Sequence, residues 1–176
     1  MSATRTSMAL GSRTLLKTAL LEIMKVKSYK DLSVSELCQK AGVSRMAFYR
    51  NYDTVAELFN ETAIDLNEKI INSIGSPFRS GTSTEWYETA FRMISDQKDS
   101  VQLMYQENFQ FEWMKVVNSL AVHDESFSPE KKFQRLVWCG GFENVVAQWL
   151  NDGMKETPAE MASYCVKYLP AITKEN

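Results

Sequence analysis

The side chains best suited to chemistry lie between Ser44 and Tyr52, a stretch rich in basic and aromatic residues. If a helix starts after Ser44, its periodicity points Phe48 and Tyr52 towards a core. The outer face then carries five side chains, Arg45, Met46, Ala47, Tyr49 and Arg50. Arginine can form two hydrogen bonds to guanine, and methionine or alanine can touch the methyl group of thymine. The pattern predicts a surface that reads base edges in DNA and leaves open which residues read them.

Two short helices joined by a glycine turn would position this surface. Ser33 and Glu36 have the spacing of a capping box, which predicts that a helix begins at Ser33. Gly42 can adopt the left-handed conformation that ends this helix, and Ser44 can cap the next one. The segment is therefore predicted to be a helix-turn-helix. The alternative to a DNA-binding motif is a pair of packed helices that has only a structural role.

A further set of groups is better suited to DNA phosphates, which fix the position of a protein without reading sequence. These groups carry hydroxyls or stand at a helix start, where backbone amides attract anions. They are Ser33, Ser35, Ser44, Tyr49, Tyr52 and the backbone amides that begin the helix at Thr54.

The motifs Ala41-Gly42-Val43-Ser44-Arg45, Phe48-Tyr49-Arg50-Asn51-Tyr52 and Glu57-Leu58 resemble the N-terminal signature of the TetR family of bacterial transcriptional regulators. A looser resemblance covers Gly140-Gly141, Trp149-Leu150 and Thr157-Pro158-Ala159-Glu160. The resemblance implies an all-α fold, in which a three-helix DNA-binding domain is joined by a long helix to a C-terminal helical domain for ligand binding and dimerisation.

Two positions depart from the family pattern. Val55 stands where many relatives have a lysine, so one expected phosphate contact is missing. Asn51 stands where tyrosine or histidine is frequent, which could alter base preference. The module as a whole is still predicted to bind DNA.

Charge is distributed unevenly along the chain of 176 residues. Residues 1–52 hold nine Lys/Arg and three Asp/Glu, a net charge of +6, whereas residues 53–176 hold eleven and nineteen, a net of −8. A basic N-terminal part followed by an acidic remainder is typical of a protein that binds phosphate groups with one part only.

Composition argues against several other protein classes. Cys38, Cys139 and Cys165 are isolated, so neither a disulfide framework nor a zinc site is predicted, and no cofactor is expected. His123, the only histidine, has no serine or cysteine nucleophile nearby in sequence, so the chain is not predicted to be an enzyme. No apolar run is long enough to span a membrane, which predicts a cytoplasmic protein without a membrane partner.

Periodicity and linker composition divide the chain. Residues 1–11 are polar without a helical period and are predicted to be a mobile arm. The predicted parts are a DNA-binding domain over 1–53, a connecting helix over 54–74 and a regulatory and dimerisation domain over 75–176. The last boundary falls in the glycine- and serine-rich stretch 75–84. No segment alternates with period two for long enough to be a strand.

Aromatic and methionine side chains of the C-terminal half could line a cavity for a small-molecule effector, because pockets in helical proteins are largely apolar. The candidates are Trp86, Met93, Met104, Tyr105, Phe109, Trp113 and Trp138. The resemblance also implies a homodimer formed by the last two helices. The candidates for its interface are Val137, Gly141, Val145, Gln148 and Trp149. Ordinary packing within the chain is the alternative for every residue in both sets.

Together these features predict a homodimeric, ligand-responsive transcriptional regulator that binds a palindromic operator in double-stranded DNA. The family it resembles consists mostly of repressors. The alternative is a protein-interaction adaptor or coactivator of the same fold, with weak or no DNA binding, because Val55 replaces the expected lysine.

Overall fold

A computed structural model describes residues 2–109, 114, 115, 118, 122 and 127–172. The described residues form α-helices and one short 3₁₀ helix, without any β-strand, so the predicted all-α fold class is confirmed. The chain divides into two compact units, residues 1–65 and residues 66–176. Among the described helices, none combines the length and the apolar character needed to cross a membrane.

The first unit is built from the helices that precede residue 66. They are α1 (Ser2–Met24), a 3₁₀ helix (Tyr29–Asp31), α2 (Val34–Ala41), α3 (Arg45–Tyr49) and the first part of α4 (Val55–Ile74). The side chains of Leu16, Leu37, Phe48 and Leu58 are fully buried and form its centre. The predicted mobile arm is wrong for residues 2–11, because they continue the α1 helix that buried leucines anchor further along.

Local chemistry sets the ends of the two short helices. The hydroxyl of Ser33 accepts a hydrogen bond from the Glu36 amide at 3.2 Å, and the Glu36 carboxylate accepts one from the Ser33 amide at 3.0 Å. This confirms the predicted capping box. Gly42 ends α2 with φ 67° and ψ 27°, a left-handed conformation that strains other residues. The hydroxyl of Ser44 then accepts a hydrogen bond from the Ala47 amide and begins α3.

The carboxylate of Glu36 also ties α2 to the preceding loop. It accepts a hydrogen bond from Lys27 at 2.7 Å. This bond, together with those from Ser33, lowers the pKa of the Glu36 carboxyl to about 2. Because the pKa is lowered by folding, the charged carboxylate stabilises the fold fully above its ordinary pKa of 4.5, and this contribution is lost as the pH falls towards 2.

The second unit contains the rest of α4 and the later helices. These are α5 (Pro77–Ser80), α6 (Thr84–Asp96), α7 (Lys98–Gln106), α8 (Pro129–Asn151) and α9 (Pro158–Tyr168). Helices α6 and α9 pack closely against each other. The predicted capping box of Thr157 and Glu160 begins α9, and Ser128 caps α8 with Pro129 at its first position. The core combines aliphatic side chains with several aromatic rings, among them the buried Tyr87 and Phe91.

We expect Ser33→Ala to lower the free energy of unfolding by about 1 kcal/mol, because a helix N-cap and half of a capping box are lost. Chemical denaturation monitored by circular dichroism measures this change. Ser35→Ala is the matched control, since Ser35 lies exposed on the same helix without a capping bond, and should shift stability by less than about 0.5 kcal/mol. Equal effects of the two substitutions would contradict the role of the cap.

Candidate nucleic-acid interface and candidate cavity

Helix α3 presents an exposed face that carries two guanidinium groups. Arg45 and Arg50 are exposed, as are Met46, at 74%, and Tyr49. The Arg45 guanidinium lies 6.0 Å from the centre of the Tyr49 ring. Within the part of the chain that the structure describes, neither arginine forms an ion pair. Both positive charges therefore remain available to an anionic partner.

Two side chains predicted to contact DNA face the core instead. Ala47 is 6% exposed and Tyr52 is 2% exposed. The Tyr52 hydroxyl donates a hydrogen bond to Glu61 at 3.1 Å. Helix α3 contacts both α1 and α2, and these two side chains lie on the packed side of the motif. The predicted surface position of Ala47 is therefore wrong. The predicted core position of Tyr52 is confirmed, and its predicted phosphate contact is wrong because its hydroxyl is bonded to Glu61 within the unit.

Apart from that of the buried Tyr52, the hydroxyl groups predicted to contact phosphate belong to exposed residues, but they differ in availability. Ser33 donates its hydroxyl proton to Glu36 at 2.8 Å, so that proton is used. The hydroxyls of Ser44 and Thr54 accept hydrogen bonds from helix amides and keep their own protons for a ligand. Ser35 is exposed on α2.

Asn51 is half-buried at the end of the motif. Its side-chain amide donates a hydrogen bond to the carbonyl of Ala47 at 2.6 Å. Asn51 thus closes the last turn of α3, which positions the helix.

A cluster of charged side chains in the first unit includes Glu61, the acceptor of the Tyr52 hydroxyl. Lys17 forms ion pairs with Glu61, at 2.6 Å, and with Asp65, and Arg13 lies 3.7 Å from Glu61. Burial opposes the charge on Lys17, but the hydrogen bonds that its ammonium group donates to Asp65 and Glu61 raise its pKa. The cluster joins α1 to α4 and to the end of the helix-turn-helix. This cluster was not predicted from the sequence. Glu61 and Asp65 are four residues apart, so they lie on one face of a helix and could have indicated a site for a cation.

The second unit contains a partly open cavity of about 240 Å³. Its lining is apolar, with isoleucines from the second half of α4 and with aromatic side chains. The aromatic lining residues are Phe78, Trp86, Tyr105, Trp138 and Phe142. Among the described lining residues, Glu143 is the one charged group. The arrangement suits a small, mostly apolar molecule with one polar group.

Three of the predicted ligand-binding residues line this cavity, namely Trp86, Tyr105 and Trp138. Met93, Met104 and Phe109 do not line it: Met104 and Phe109 are buried, and Met93 packs against the core. They fill the interior because their helix faces are turned towards neighbouring helices. Trp113 lies outside the described residues, as does His123.

Glu143 and its neighbour Phe142 are lining residues that sequence reasoning missed, as is Phe78. The spacing of Trp138 and Phe142, one helical turn apart on α8, is a signal that could have found one of them. The hydroxyl of Tyr105 donates a hydrogen bond to Glu143 at 2.6 Å. Burial raises the pKa of the Glu143 carboxyl, although this hydrogen bond opposes the shift.

The predicted dimer residues fall into different environments. Val137, 61% exposed, and Gln148 lie at the surface, whereas Val145 packs partly against the core. Trp149 is 3% exposed and donates a hydrogen bond to the carbonyl of Glu156. A side chain at Gly141 would come within 2.6 Å of Leu169 in the same chain. The interface prediction is therefore wrong for Trp149, which is buried within its own unit, whereas it stays a prediction for the half-buried Gly141.

Large apolar side chains are nevertheless exposed on the last two described helices. They are Phe133 and Val137 on α8 and Tyr164, Val166 and Tyr168 on α9. Exposed apolar groups that recur at one-turn spacing are typical of an interaction surface.

Comparison with known proteins identifies the family. Residues 81–170 match the TetR model described as "Transcriptional regulator C-terminal region", which spans half of the chain. The chain belongs to the TetR family of transcriptional regulators. No curated protein matches it in sequence.

Solved structures of several regulatory proteins share its fold. The dihydroxyacetone kinase operon activator DhaS has a TM-score of 0.63 at 18% identity, covering 90% of this chain and 93% of its own. The fatty acid degradation regulator FadR from Bacillus halodurans has a TM-score of 0.60 at 14% identity, covering 89% and 93%. A tetR-family regulator from Streptomyces coelicolor has a TM-score of 0.56 at 14% identity, covering 88% and 77%.

We expect Tyr52→Phe to lower the free energy of unfolding by about 1 kcal/mol, because Glu61 loses a hydrogen-bond donor in a partly buried site. Tyr49→Phe is the matched control, since the Tyr49 ring is exposed on the same motif. Urea denaturation of the two variants measures the difference. A fully stable Tyr52→Phe variant would show that the hydroxyl has no structural role.

Proposed function

We propose that this TetR-family protein binds a palindromic operator in double-stranded DNA as a homodimer and acts in the cytoplasm. A small-molecule effector in the cavity of the second unit would release it from DNA. The observation that carries the proposal is the pair of exposed guanidinium groups, Arg45 and Arg50, on a rigidly capped helix. Such groups are suited to the major groove, where arginine recognises guanine.

The placement of each side chain refines the proposed contacts. Arg45, Met46 and Arg50 are proposed to reach base edges because they are exposed on or directly after α3. Ser44 and Thr54 are proposed to donate to phosphates, because their hydroxyl protons are available. The exposed ring of Tyr49 would pack against the sugar-phosphate backbone of the DNA. Ser35 and the backbone near Ser33 would meet the neighbouring phosphate.

The proposed dimer uses the exposed apolar residues of α8 and α9 rather than the whole predicted set. Phe133 and Val137 are four residues apart, as are Tyr164 and Tyr168, so each pair lies on one face of its helix. Gln148 would lie at the polar edge. Two copies joined in this way would present two reading helices to two half-sites, and so gain affinity and specificity.

Regulation is proposed to pass through α4, the connecting helix of the predicted division 1–53, 54–74 and 75–176. Leu58 and Phe59 of this helix are buried in the first unit, and Ile70 and Ile74 line the cavity of the second. A ligand that binds one position of α4 more tightly than another would shift the population of DNA-binding dimers.

The sign of regulation is proposed to be repression, the commoner action among relatives. DhaS, by contrast, carries the name of an operon activator. A reporter gene placed behind the operator distinguishes the two: deletion of the regulator should raise expression. A fall in expression would assign activation instead.

We expect Arg50→Ala to weaken operator binding about tenfold or more, the effect of losing one good arginine contact to a base. Fluorescence anisotropy with an operator selected from random DNA measures the affinity at several salt concentrations. Arg92→Ala is the matched control, because Arg92 is an exposed arginine of the second unit. Unchanged affinity in Arg50→Ala would remove this residue from the interface.

The same titration tests the adaptor alternative. A regulator should bind DNA with an affinity that falls steeply as salt increases, and heparin should retain it. If the wild-type protein shows neither property, the proposed DNA-binding function is overturned.

We expect Val137→Asp to convert the dimer to monomers, because a charge would be buried where two apolar faces meet. Light scattering after size-exclusion chromatography measures the mass. Val26→Asp is the control, since Val26 is a more exposed valine in the first unit and should leave the dimer intact. A dimer that persists in Val137→Asp would place the interface elsewhere.

A further inference from the structure

We propose that the cavity takes a small hydrophobic organic cation, an amine or quaternary ammonium, with its charge beside Glu143 and its apolar part among the aromatic rings. This inference rests on the proposed function of the cavity as an effector site. It adds the chemical class of the ligand, which neither the family nor the fold specifies.

The first argument is the unbalanced charge of Glu143. One carboxylate oxygen, Oε1, accepts the hydrogen bond from Tyr105 at 2.6 Å. In the described part of the chain, Oε2 has no hydrogen-bond partner, and no lysine or arginine forms an ion pair with Glu143. A half-buried carboxylate beside apolar side chains is less favourable than one in water, and either protonation or a nearby cation relieves this penalty. A cationic ligand would supply that positive charge.

The nearest arginine along α8 does not supply a positive charge next to Glu143. Arg135 lies two helical turns before Glu143, about 12 Å along the axis. Its guanidinium lies over the rings of Phe78 and Phe127, at 4.4 and 4.2 Å. Burial raises the pKa of the Glu143 carboxyl, and the hydrogen bond from Tyr105 opposes this shift.

The second argument is the chemistry of the surrounding rings. Trp138 and Phe142 are stacked, with centroids 5.1 Å apart and planes at 12°, and Trp86 lies 5.7 Å from Trp138. The indole N–H groups are occupied, because Trp138 donates to the Tyr87 hydroxyl and Trp86 to the Gly75 carbonyl. The rings therefore offer π surface rather than hydrogen-bond donors, and π surface attracts cations.

The third argument is the size and sign of the site. A volume of about 240 Å³ is below the usual range of roughly 300–1,000 Å³ for ligand pockets, which favours a ligand built on a single ring. Lysine and arginine are absent from the described lining. An anionic ligand would meet the like charge of Glu143 without a compensating group, so anions are disfavoured.

Calorimetric titration of the full-length protein without DNA tests the proposal with three probes of similar shape. They are benzyltrimethylammonium, its uncharged isostere neopentylbenzene, and the anion phenylacetate. We expect the cation to bind about tenfold or more tightly than the isostere, since cation–π attraction and the Glu143 charge act only on the cation. Phenylacetate should bind most weakly.

Glu143→Gln provides the second arm, because glutamine keeps the shape of the side chain and removes its charge. The preference for the cation over the isostere should fall about tenfold. Glu130→Gln is the matched control, since Glu130 is exposed at the start of the same helix, and it should keep the full preference. If Glu143→Gln does not fold, the comparison of the three probes on the wild-type protein still decides the question.

The proposal is overturned if the isostere or phenylacetate binds as tightly as the cation, or if none of the three probes binds. Operator release is measured separately by anisotropy. Preferred cation binding without release would support the ligand class and contradict the regulatory role. Release by a neutral or anionic compound would support the regulatory role and contradict the ligand class.

Discussion

The helix-turn-helix depends on the burial of one side of a helix that is too short to be stable alone. Helix α3 has five residues, whereas isolated helices below about 12–15 residues are marginal in water. The fully buried ring of Phe48 holds it against the rest of the first unit, and the Ser44 cap fixes its start. Because one side is fixed in this way, Arg45 and Arg50 are left exposed to a partner.

Charge pairing in the first unit leaves Arg45 and Arg50 among the exposed cations that form no ion pair in the described part of the chain. Residues 1–52 are strongly basic by count, but Lys17 is bound by Glu61 and Asp65, and Lys27 by Glu36. Such pairs fasten helices and loops to one another, and their positive charges are largely neutralised. The count of basic residues therefore overstates the available charge, and the geometry identifies the part that can meet phosphate.

The core of the second unit is mostly apolar, but an acidic side chain, Glu143, lies at its cavity. Aromatic rings that stack and meet edge to face pack with aliphatic side chains and leave a cavity, which Phe142 and Glu143 of α8 both line. A carboxylate at such a position weakens a purely structural core. Its hydrogen bond from Tyr105 limits the penalty. Among the described residues that line the cavity, this carboxylate is the one charged group.

The sequence by itself determined the helical fold class, the capping boxes at Ser33 and Thr157 and the turn at Gly42, because these features depend on contacts within a few residues. Periodicity also indicated which side chains share a helix face. It could not show which neighbouring helix covers that face, so Ala47 and Trp149 were assigned to surfaces although both are buried. Only the tertiary structure decided such positions, because burial depends on helices that are distant in the chain.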